Sequence, residues 1–166
     1  MRRLSTLAAL ALLAACGNAD AAPGGSGSLA LTDAADQSLP TVVVYKTATC
    51  GCCGGWVEHM RQAGFTVDAR DLPGNAELMR VKVDAGVPGA MATCHTAVVD
   101  GYVIEGHVPA EQVRRLLEDR PDVAGIAVPG MPIGSPGMEG PAARPYQVYA
   151  FDHQGGSAVF AEIDPR

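Results

Sequence analysis

Three of the five cysteines lie within four residues, at Cys50, Cys52 and Cys53. They follow an apolar, β-branched run over residues 42–45, which indicates a buried strand, and the residues after them indicate a helix. Thiols at a strand-to-helix turn lie beside the positive N-terminus of the helix, which favours the thiolate form. Thiolates bind soft metal ions or exchange disulfides, so the sequence offers these two chemistries.

Further soft ligands lie later in the chain. Cys94 is followed by His95, and a long loop without periodicity over residues 129–140 carries Met131 and Met138. Thiolate and thioether ligands together favour Cu(I) over hard cations. The alternatives are a structural disulfide for Cys94 and simple anchoring of the loop for the two methionines. If His95 lies on the strand that follows Cys94, its side chain points to the opposite side.

Helical spacing limits how the clustered sulfurs can be used. Cys50 and Cys53 lie one turn apart and can face one point, whereas Cys52 is rotated by about 100° from Cys53. One ion is therefore not expected to bind all three sulfurs. A bridged, multinuclear copper site would use all of them; otherwise Cys52 serves as a resolving or spare thiol. His59 follows Cys52 on the same helical face but lies about 10 Å from it along the helix axis, so it is expected to be solvated.

The elements that would position these residues follow from periodicity, caps and turns. Strands are predicted at 41–45, 65–69, 97–99, 102–104, 146–151 and 158–163, and helices from Cys53 to about residue 63, from an Asn75 cap to residue 83, and at 110–118. Asp100-Gly101 predicts the two-residue turn of a hairpin. The last two strands predict a second hairpin at the end of the chain.

The predicted order βαβα, then a hairpin and a helix, resembles the thioredoxin-like fold, and most closely glutaredoxin, over about residues 41–118. The fold class expected is therefore α/β, a glutaredoxin-like βαβαββα core with a C-terminal loop and β-hairpin extension. Cys50 and Cys53 have the C-x-x-C spacing where that family carries its redox pair. In such folds the loop before the hairpin usually bears a cis-proline beside the redox turn. Here the corresponding position, residues 92–96, has no proline and carries Cys94 and His95.

The first part of the chain predicts export. Residues 1–15 combine a basic start, a short apolar stretch and small residues, which is typical of a secretory signal and too short to span a bilayer. The ending resembles a bacterial lipobox, so Cys16 is expected to be lipidated; the alternative is an ordinary signal peptide, with Cys16 lost or free. Residues 16–38 would then be a flexible tether and residues 39–166 the metal-binding domain. Gly17 favours an outer-membrane anchor facing the periplasm.

Charge limits the classes of partner. The chain has 12 basic and 18 acidic residues, and two of the basic residues are arginines of the predicted signal, so the mature chain would carry 10 basic residues and a net charge of −8. Since there is no basic stripe, nucleic acid is not an expected partner. The expected partners are copper ions, the membrane through the lipid anchor, and a copper chaperone or efflux protein.

Four ordered motifs across residues 41–163 resemble one family, the exported metal-binding DUF411 family of CopG-like copper-resistance proteins. They are Y-K-T-x-T-C-G-C-C-x-x-W, M-A-T-C-H-T, E-G-H-V-P and G-M-P-x-G-S-P-G-M-E. The resemblance implies a thioredoxin-like fold, copper bound at the cysteine turn, and a role in copper tolerance with redox interconversion of copper. It also implies a ligand role for His107, for which a surface histidine is the alternative. The candidate metal ligands are thus Cys50, Cys52, Cys53, Cys94, His95, His107, Met131 and Met138.

Three functions are consistent with these residues. The first is a cell-envelope protein that binds Cu(I) through the four cysteines, with or without copper redox activity. The second is a thiol-disulfide oxidoreductase in which Cys50 is the nucleophile and Cys53 resolves. The third is a closed structural zinc site of cysteine and histidine. The additional Cys52, and Cys94 in place of a proline, favour copper.

Overall fold

The computed structural model describes residues 38–166. The predicted signal peptide, Cys16 and nearly all of the predicted tether lie outside the described residues. In chain order the elements are β1 (Val42–Thr47), α1 (Gly51–Gln62), β2 (Val67–Leu72), α2 (Asn75–Asp84), β3 (Thr96–Val99), β4 (Tyr102–Gly106), α3 (Ala110–Asp119), β5 (Gly125–Val128), β6 (Tyr146–Phe151) and β7 (Ser157–Ile163). None of the helices in this part of the chain is long and apolar enough to cross a membrane.

The seven described strands form one sheet in the order β2-β1-β3-β4-β5-β6-β7. β1 pairs in parallel with β2, and β4 pairs in parallel with β5, while the other four pairs are antiparallel. Parallel neighbours need a long crossover, and α1 and α3 lie in the two crossovers required here. The fold is therefore mixed α/β.

Helix α1, which carries two of the clustered cysteines, is held on the sheet by large apolar side chains. Trp56 and Met60, four residues apart on one helical face, are completely buried together with Val44 of β1. Because a buried indole N–H needs an acceptor, Trp56 Nε1 donates a hydrogen bond to the carbonyl oxygen of Val108, at 2.8 Å. This bond joins the first turns of α1 to the segment after β4.

The predicted element order over residues 41–118 is confirmed, with element ends shifted by at most three residues. Asp100 and Gly101 have φ values of 47° and 88°, as a two-residue hairpin turn requires. The predicted C-terminal hairpin is also confirmed, since β6 and β7 pair antiparallel and extend the sheet beyond β5.

Two details differ from the sequence predictions. Strand β5 was not predicted, because an apolar run of four residues between a helix and a loop does not identify a strand by periodicity. The prediction that Asn75 caps α2 is wrong by one position. Gly74 is the N-cap, in an extended conformation, and its carbonyl accepts the first helical hydrogen bond from Leu78.

Candidate metal centre

The cysteine turn lies at the N-terminus of α1. Cys50 is the N-cap residue, and Cys52 and Cys53 lie in the first helical turn. Cys50 and Cys53 form a disulfide, with their Cα atoms 5.3 Å apart. Cys53 is buried on the core side, whereas Cys52 is partly exposed, unpaired and 3.6 Å from Cys50 between sulfurs. The turn therefore presents a disulfide with a third sulfur beside it.

Cys94 reaches this turn through strand register. β3 runs antiparallel to β1 with Thr96 opposite Tyr45, so the loop before β3 lies beside the end of β1 that leads into Cys50. Cys53 Sγ lies 3.8 Å from the Cys94 carbonyl oxygen. The sulfurs of Cys50, Cys52, Cys53 and Cys94 all lie within 4.8 Å of one another. The predicted separation of the Cys52 sulfur from the others is thus not seen.

His107 contributes a nitrogen from the segment after β4. Its Nδ1 lies 2.7 Å from the carbonyl oxygen of Pro136, in the long loop. Since a carbonyl only accepts, Nδ1 carries the proton in the neutral ring, and Nε2 presents a lone pair. That Nε2 lies 3.0 Å from Cys94 Sγ. A second residue that fixes the tautomer in this way is typical of metal-binding histidines.

His95 lies on the same side as Cys94, so the opposite orientation that a strand position would have given is not seen. The physical reason is that β3 begins at Thr96, so strand alternation does not apply to the two preceding residues. His95 Nδ1 is 3.3 Å from Cys94 Sγ, and its ring is packed between Trp56 and His107, with centroids at 4.6 and 5.0 Å. Its Nε2 is buried and has no hydrogen-bond partner among the described residues.

Cys94, His95 and His107 form a second group whose donor atoms lie within 4.8 Å of one another. We call the four cysteines the sulfur-only group and Cys94, His95 and His107 the mixed group. The Cys94 sulfur belongs to both. Thiol sulfurs and imidazole nitrogens, with the His107 ring pre-oriented by the Pro136 carbonyl, fit a soft or borderline metal ion better than a hard one. The donor set therefore fits copper.

Burial keeps these groups neutral in the metal-free protein. Burial, and then the neighbouring Cys52, raises the pKa of the Cys94 thiol to about 12. Burial also lowers the pKa of His107, and lowers the pKa of His95 well below its usual value, with His107 as the next cause. A metal ion at Cys94 must therefore displace a thiol proton, whereas both imidazoles are already in the form that binds metal.

The two buried histidines predict a pH-dependent stability of the metal-free protein. Since the pKa of each is lowered in the folded state, the unfolded chain takes up protons first as the pH falls below about 6.5. The free energy of unfolding is expected to fall between pH 7 and 5, by up to about 1.4 kcal/mol per pH unit for each histidine. Denaturant titrations at several pH values check this. H107Q should reduce the slope; a slope equal to that of the unmodified protein would contradict the assignment.

The structure places the two methionines differently. Met131 is 39% exposed in the long loop, so its position does not support a ligand role. Met138 is partly buried and directly follows Gly137, whose backbone packs against the first turn of α1. Met138 therefore lies at the edge of the cysteine turn, and its ligand role stays a prediction.

Gly137 allows the long loop to contact the helix backbone. Its φ is +82°, and a Cβ there would lie 2.7 Å from Trp56 N and would also collide with the Cys52 carbonyl oxygen. Glu139 strengthens the same turn, because its carboxylate accepts a hydrogen bond from the Gly137 N–H at 2.7 Å. This contact keeps the neighbouring Pro136 carbonyl in place against His107.

We expect G137A to lower copper affinity by about 10- to 100-fold, the usual cost of losing an outer-shell partner of a metal ligand. The methyl group would displace the loop and break the hydrogen bond between Pro136 and His107. A chelator competition titration measures the effect. G130A is the matched control, because Gly130 also has a positive φ, of 77°, but has open space at its Cβ position. Equal affinities in the two variants would contradict this role of the loop.

Sequence reasoning missed two buried charges and misplaced one histidine. Lys82 and Glu105 pair beneath the Cys94 loop, and the only signal in the sequence was a charge within each of two apolar runs. His59 was expected in solvent, which is wrong. It is half-buried, and its Nε2 accepts a hydrogen bond from the Ala110 N–H at 3.0 Å, because α3 begins against the end of α1.

A cavity of about 420 Å³ opens beside the sulfurs. Its lining is formed by Thr47, Cys50, Asn75, Leu78, Met79, Lys82, Thr93 and Cys94. Another cavity, of about 450 Å³, lies beside the C-terminal hairpin and has no cysteine or histidine in its lining. The first is therefore the one through which Cys50 and Cys94 are reached.

A family profile and two solved structures are similar to this chain. The profile of a family described as "Protein of unknown function, DUF411" matches residues 91–138. Two solved structures are similar over 75% of this chain and 98% of theirs, with 42% sequence identity. They are "Copper resistance protein copG" in Form 1, with a TM-score of 0.69, and in Form 2, with a TM-score of 0.68. No curated protein sequence matches the chain significantly.

Proposed function

Because the chain belongs to the DUF411 family of CopG-like copper resistance proteins, we propose that it binds copper at its cysteine cluster and acts in copper tolerance. The observation that carries the proposal is the convergence of four sulfurs within 4.8 Å, brought together from the start of α1 and from the loop before β3. Exported proteins normally use cysteines as structural disulfides, but the one disulfide among the described cysteines joins residues only three apart and leaves Cys52 and Cys94 unpaired beside it.

The bound ion is Cu(I), and more than one ion binds per chain. Thiolates are soft ligands that select Cu(I), which supports the oxidation state. Two donor groups that meet at Cys94 support a bridged arrangement, since one sulfur can bind two ions. Copper supplies one-electron chemistry when bound, and the Cys50–Cys53 pair beside it supplies two thiols when reduced.

An anaerobic Cu(I) titration of the reduced protein tests this function. We expect more than one copper per chain, retained against a Cu(I) chelator of modest affinity, with sulfur and nitrogen neighbours in copper-edge X-ray absorption. Loss of all copper to such a chelator would contradict the proposal. Zinc retained through purification, with unfolding when it is removed, would indicate the structural zinc site instead.

A thiol-disulfide oxidoreductase is the second candidate, and the Cys50–Cys53 disulfide is the observation that favours it. Cys50 borders the open cavity and would be the attacking thiol, with the buried Cys53 resolving. Insulin reduction at a rate comparable to a glutaredoxin, in the presence of a copper chelator, would favour this function over copper binding.

The proposal includes a thioredoxin-like core. Its support is the strand order β2-β1-β3-β4, in which the first pair is parallel and the others antiparallel, with the cysteine turn between β1 and α1. The Cys94 loop then stands where such folds usually carry a cis-proline.

The proposal also places the protein in the bacterial cell envelope, anchored to the outer membrane through Cys16 and facing the periplasm. The support is the sequence pattern of residues 1–16. Membrane fractionation and mass spectrometry of the mature N-terminus should find an acylated Cys16. A soluble, unacylated protein would contradict the anchor without affecting the copper site.

A further inference from the structure

A buried ion pair lies beneath the loop that carries Cys94. Lys82 of α2 is 2% exposed and Glu105 of β4 is 0% exposed, and Lys82 Nζ lies 2.6 Å from Glu105 Oε1. A buried pair of this kind is weak evidence for stability, because removing two charges from water costs about as much as their attraction returns. Its hydrogen bonds indicate a more specific role.

The Glu105 carboxylate accepts hydrogen bonds from both sides of the metal-ligand pair Cys94-His95. Its Oε1 accepts from the backbone N–H of Thr93 at 2.6 Å and from the Thr93 hydroxyl at 3.2 Å. Its Oε2 accepts from the Thr96 hydroxyl at 2.7 Å, and Lys82 Nζ donates to the same hydroxyl oxygen at 2.9 Å. The two residues that flank the ligands are therefore tied to one carboxylate.

Gly106, the residue after Glu105, has no side chain at the place where the same loop packs against it. Gly106 has a φ of +72°, and a Cβ there would collide with the Thr93 hydroxyl and lie 3.0 Å from the Val128 carbonyl oxygen. The Gly106 N–H also donates to the His95 carbonyl oxygen at 3.1 Å. The next residue, His107, contacts Cys94. Three successive residues therefore act on the loop: Glu105 accepts its hydrogen bonds, Gly106 leaves space for Thr93, and His107 is a candidate ligand beside Cys94.

We propose that Glu105 is a positioning residue, whose buried charge Lys82 balances, and that it holds Cys94 and His95 in their metal-binding arrangement before copper arrives. The inference rests on the proposed function, because it takes Cys94 as a copper ligand. Residues 92–95, directly before β3, include no proline, so the hydrogen bonds to Glu105 provide the order that a cis-proline at this position would give. Preorganisation raises copper affinity, because the free energy needed to order the loop is then not subtracted from the free energy of binding.

Two double variants separate this role from simple stability. K82M/E105L replaces the ion pair with apolar side chains of similar size and removes the carboxylate that accepts hydrogen bonds from Thr93 and Thr96. K82M/E105Q removes the charges and keeps an acceptor for the Thr93 N–H. We expect copper affinity to fall about 10- to 100-fold in K82M/E105L and to remain within about threefold of the unmodified protein in K82M/E105Q. D119N, which breaks the exposed Arg115–Asp119 pair, controls for the loss of an ion pair elsewhere.

Equal affinity in K82M/E105L and the unmodified protein would overturn the proposal. An equal loss in both double variants would overturn it as well, since the charge would then matter and not the hydrogen bonds.

A measurement without metal or variants completes the test. In the metal-free, unmodified protein the Thr93 amide is expected to exchange hydrogen at least about tenfold more slowly than the amide of exposed Ala90 in the same loop. Equal exchange would overturn the proposal, even if a variant failed to fold. If the unmodified protein bound no copper through its cysteines, the proposed function would fail, while the exchange rates would still decide whether Glu105 orders the loop.

Discussion

Replacing Cys94 with serine is expected to lower the Cu(I) affinity of the reduced protein by more than about 100-fold. Loss of an outer-shell partner costs about 10- to 100-fold, and Cys94 is a proposed ligand shared by both donor groups. The sulfur-only group would lose one of four donors, and the mixed group would lose its only sulfur. Competition with a Cu(I) chelator of known affinity measures the change.

Cys52 is the informative comparison for this prediction. It belongs to the sulfur-only group alone, so C52S should weaken binding less than C94S and leave nitrogen neighbours in the copper-edge spectrum. H153A, at an exposed turn, should leave affinity unchanged. Should C52S and C94S weaken binding equally, Cys94 would not bridge the two groups.

Reduction of the Cys50–Cys53 disulfide is expected to raise the copper capacity of the protein. In the disulfide form two thiols, Cys52 and Cys94, remain unpaired among the described cysteines, whereas the reduced form offers four. Since the thiolate is the metal ligand, the reduced protein should bind more copper per chain, and more tightly. Anaerobic titrations of the oxidised and reduced protein, with copper and free thiols counted in each, measure this difference.

The double variant C50S/C53S is the control, because its remaining thiols are those of the disulfide form. Its copper capacity should match the oxidised protein and should not change when reductant is added. Equal capacities of the oxidised and reduced unmodified protein would remove Cys50 and Cys53 from the ligand set. Such a result would favour a thiol-disulfide function for that pair.

Much of the fold could be predicted from the sequence, since local signals decide where most elements lie. Alternating and β-branched runs indicated β1, β3, β4, β6 and β7, and the Asp100-Gly101 turn joined two of them. The four-residue strand β5 could not be predicted, because its pairing with β4 depends on a crossover through α3 and on burial from both sides. The ends of β2 moved for a related reason, since an exposed edge strand takes its limits from the register with β1.

The candidate site, like the fold, was predictable from the sequence only where local signals decide it. The sequence by itself determined that three cysteines share one turn and that Cys94 and His95 directly precede a predicted strand, and it indicated soft-metal or redox chemistry. The tertiary structure decided which donors meet, because side-chain distances between residues tens of positions apart depend on strand register and loop packing. It placed His107 Nε2 against Cys94 through the Pro136 carbonyl, brought His95 to the same side, and put the Lys82–Glu105 pair beneath them. The contacts of His107 with Cys94 and Pro136, and of Lys82 with Glu105, have no local signature, since each joins separate segments of the chain.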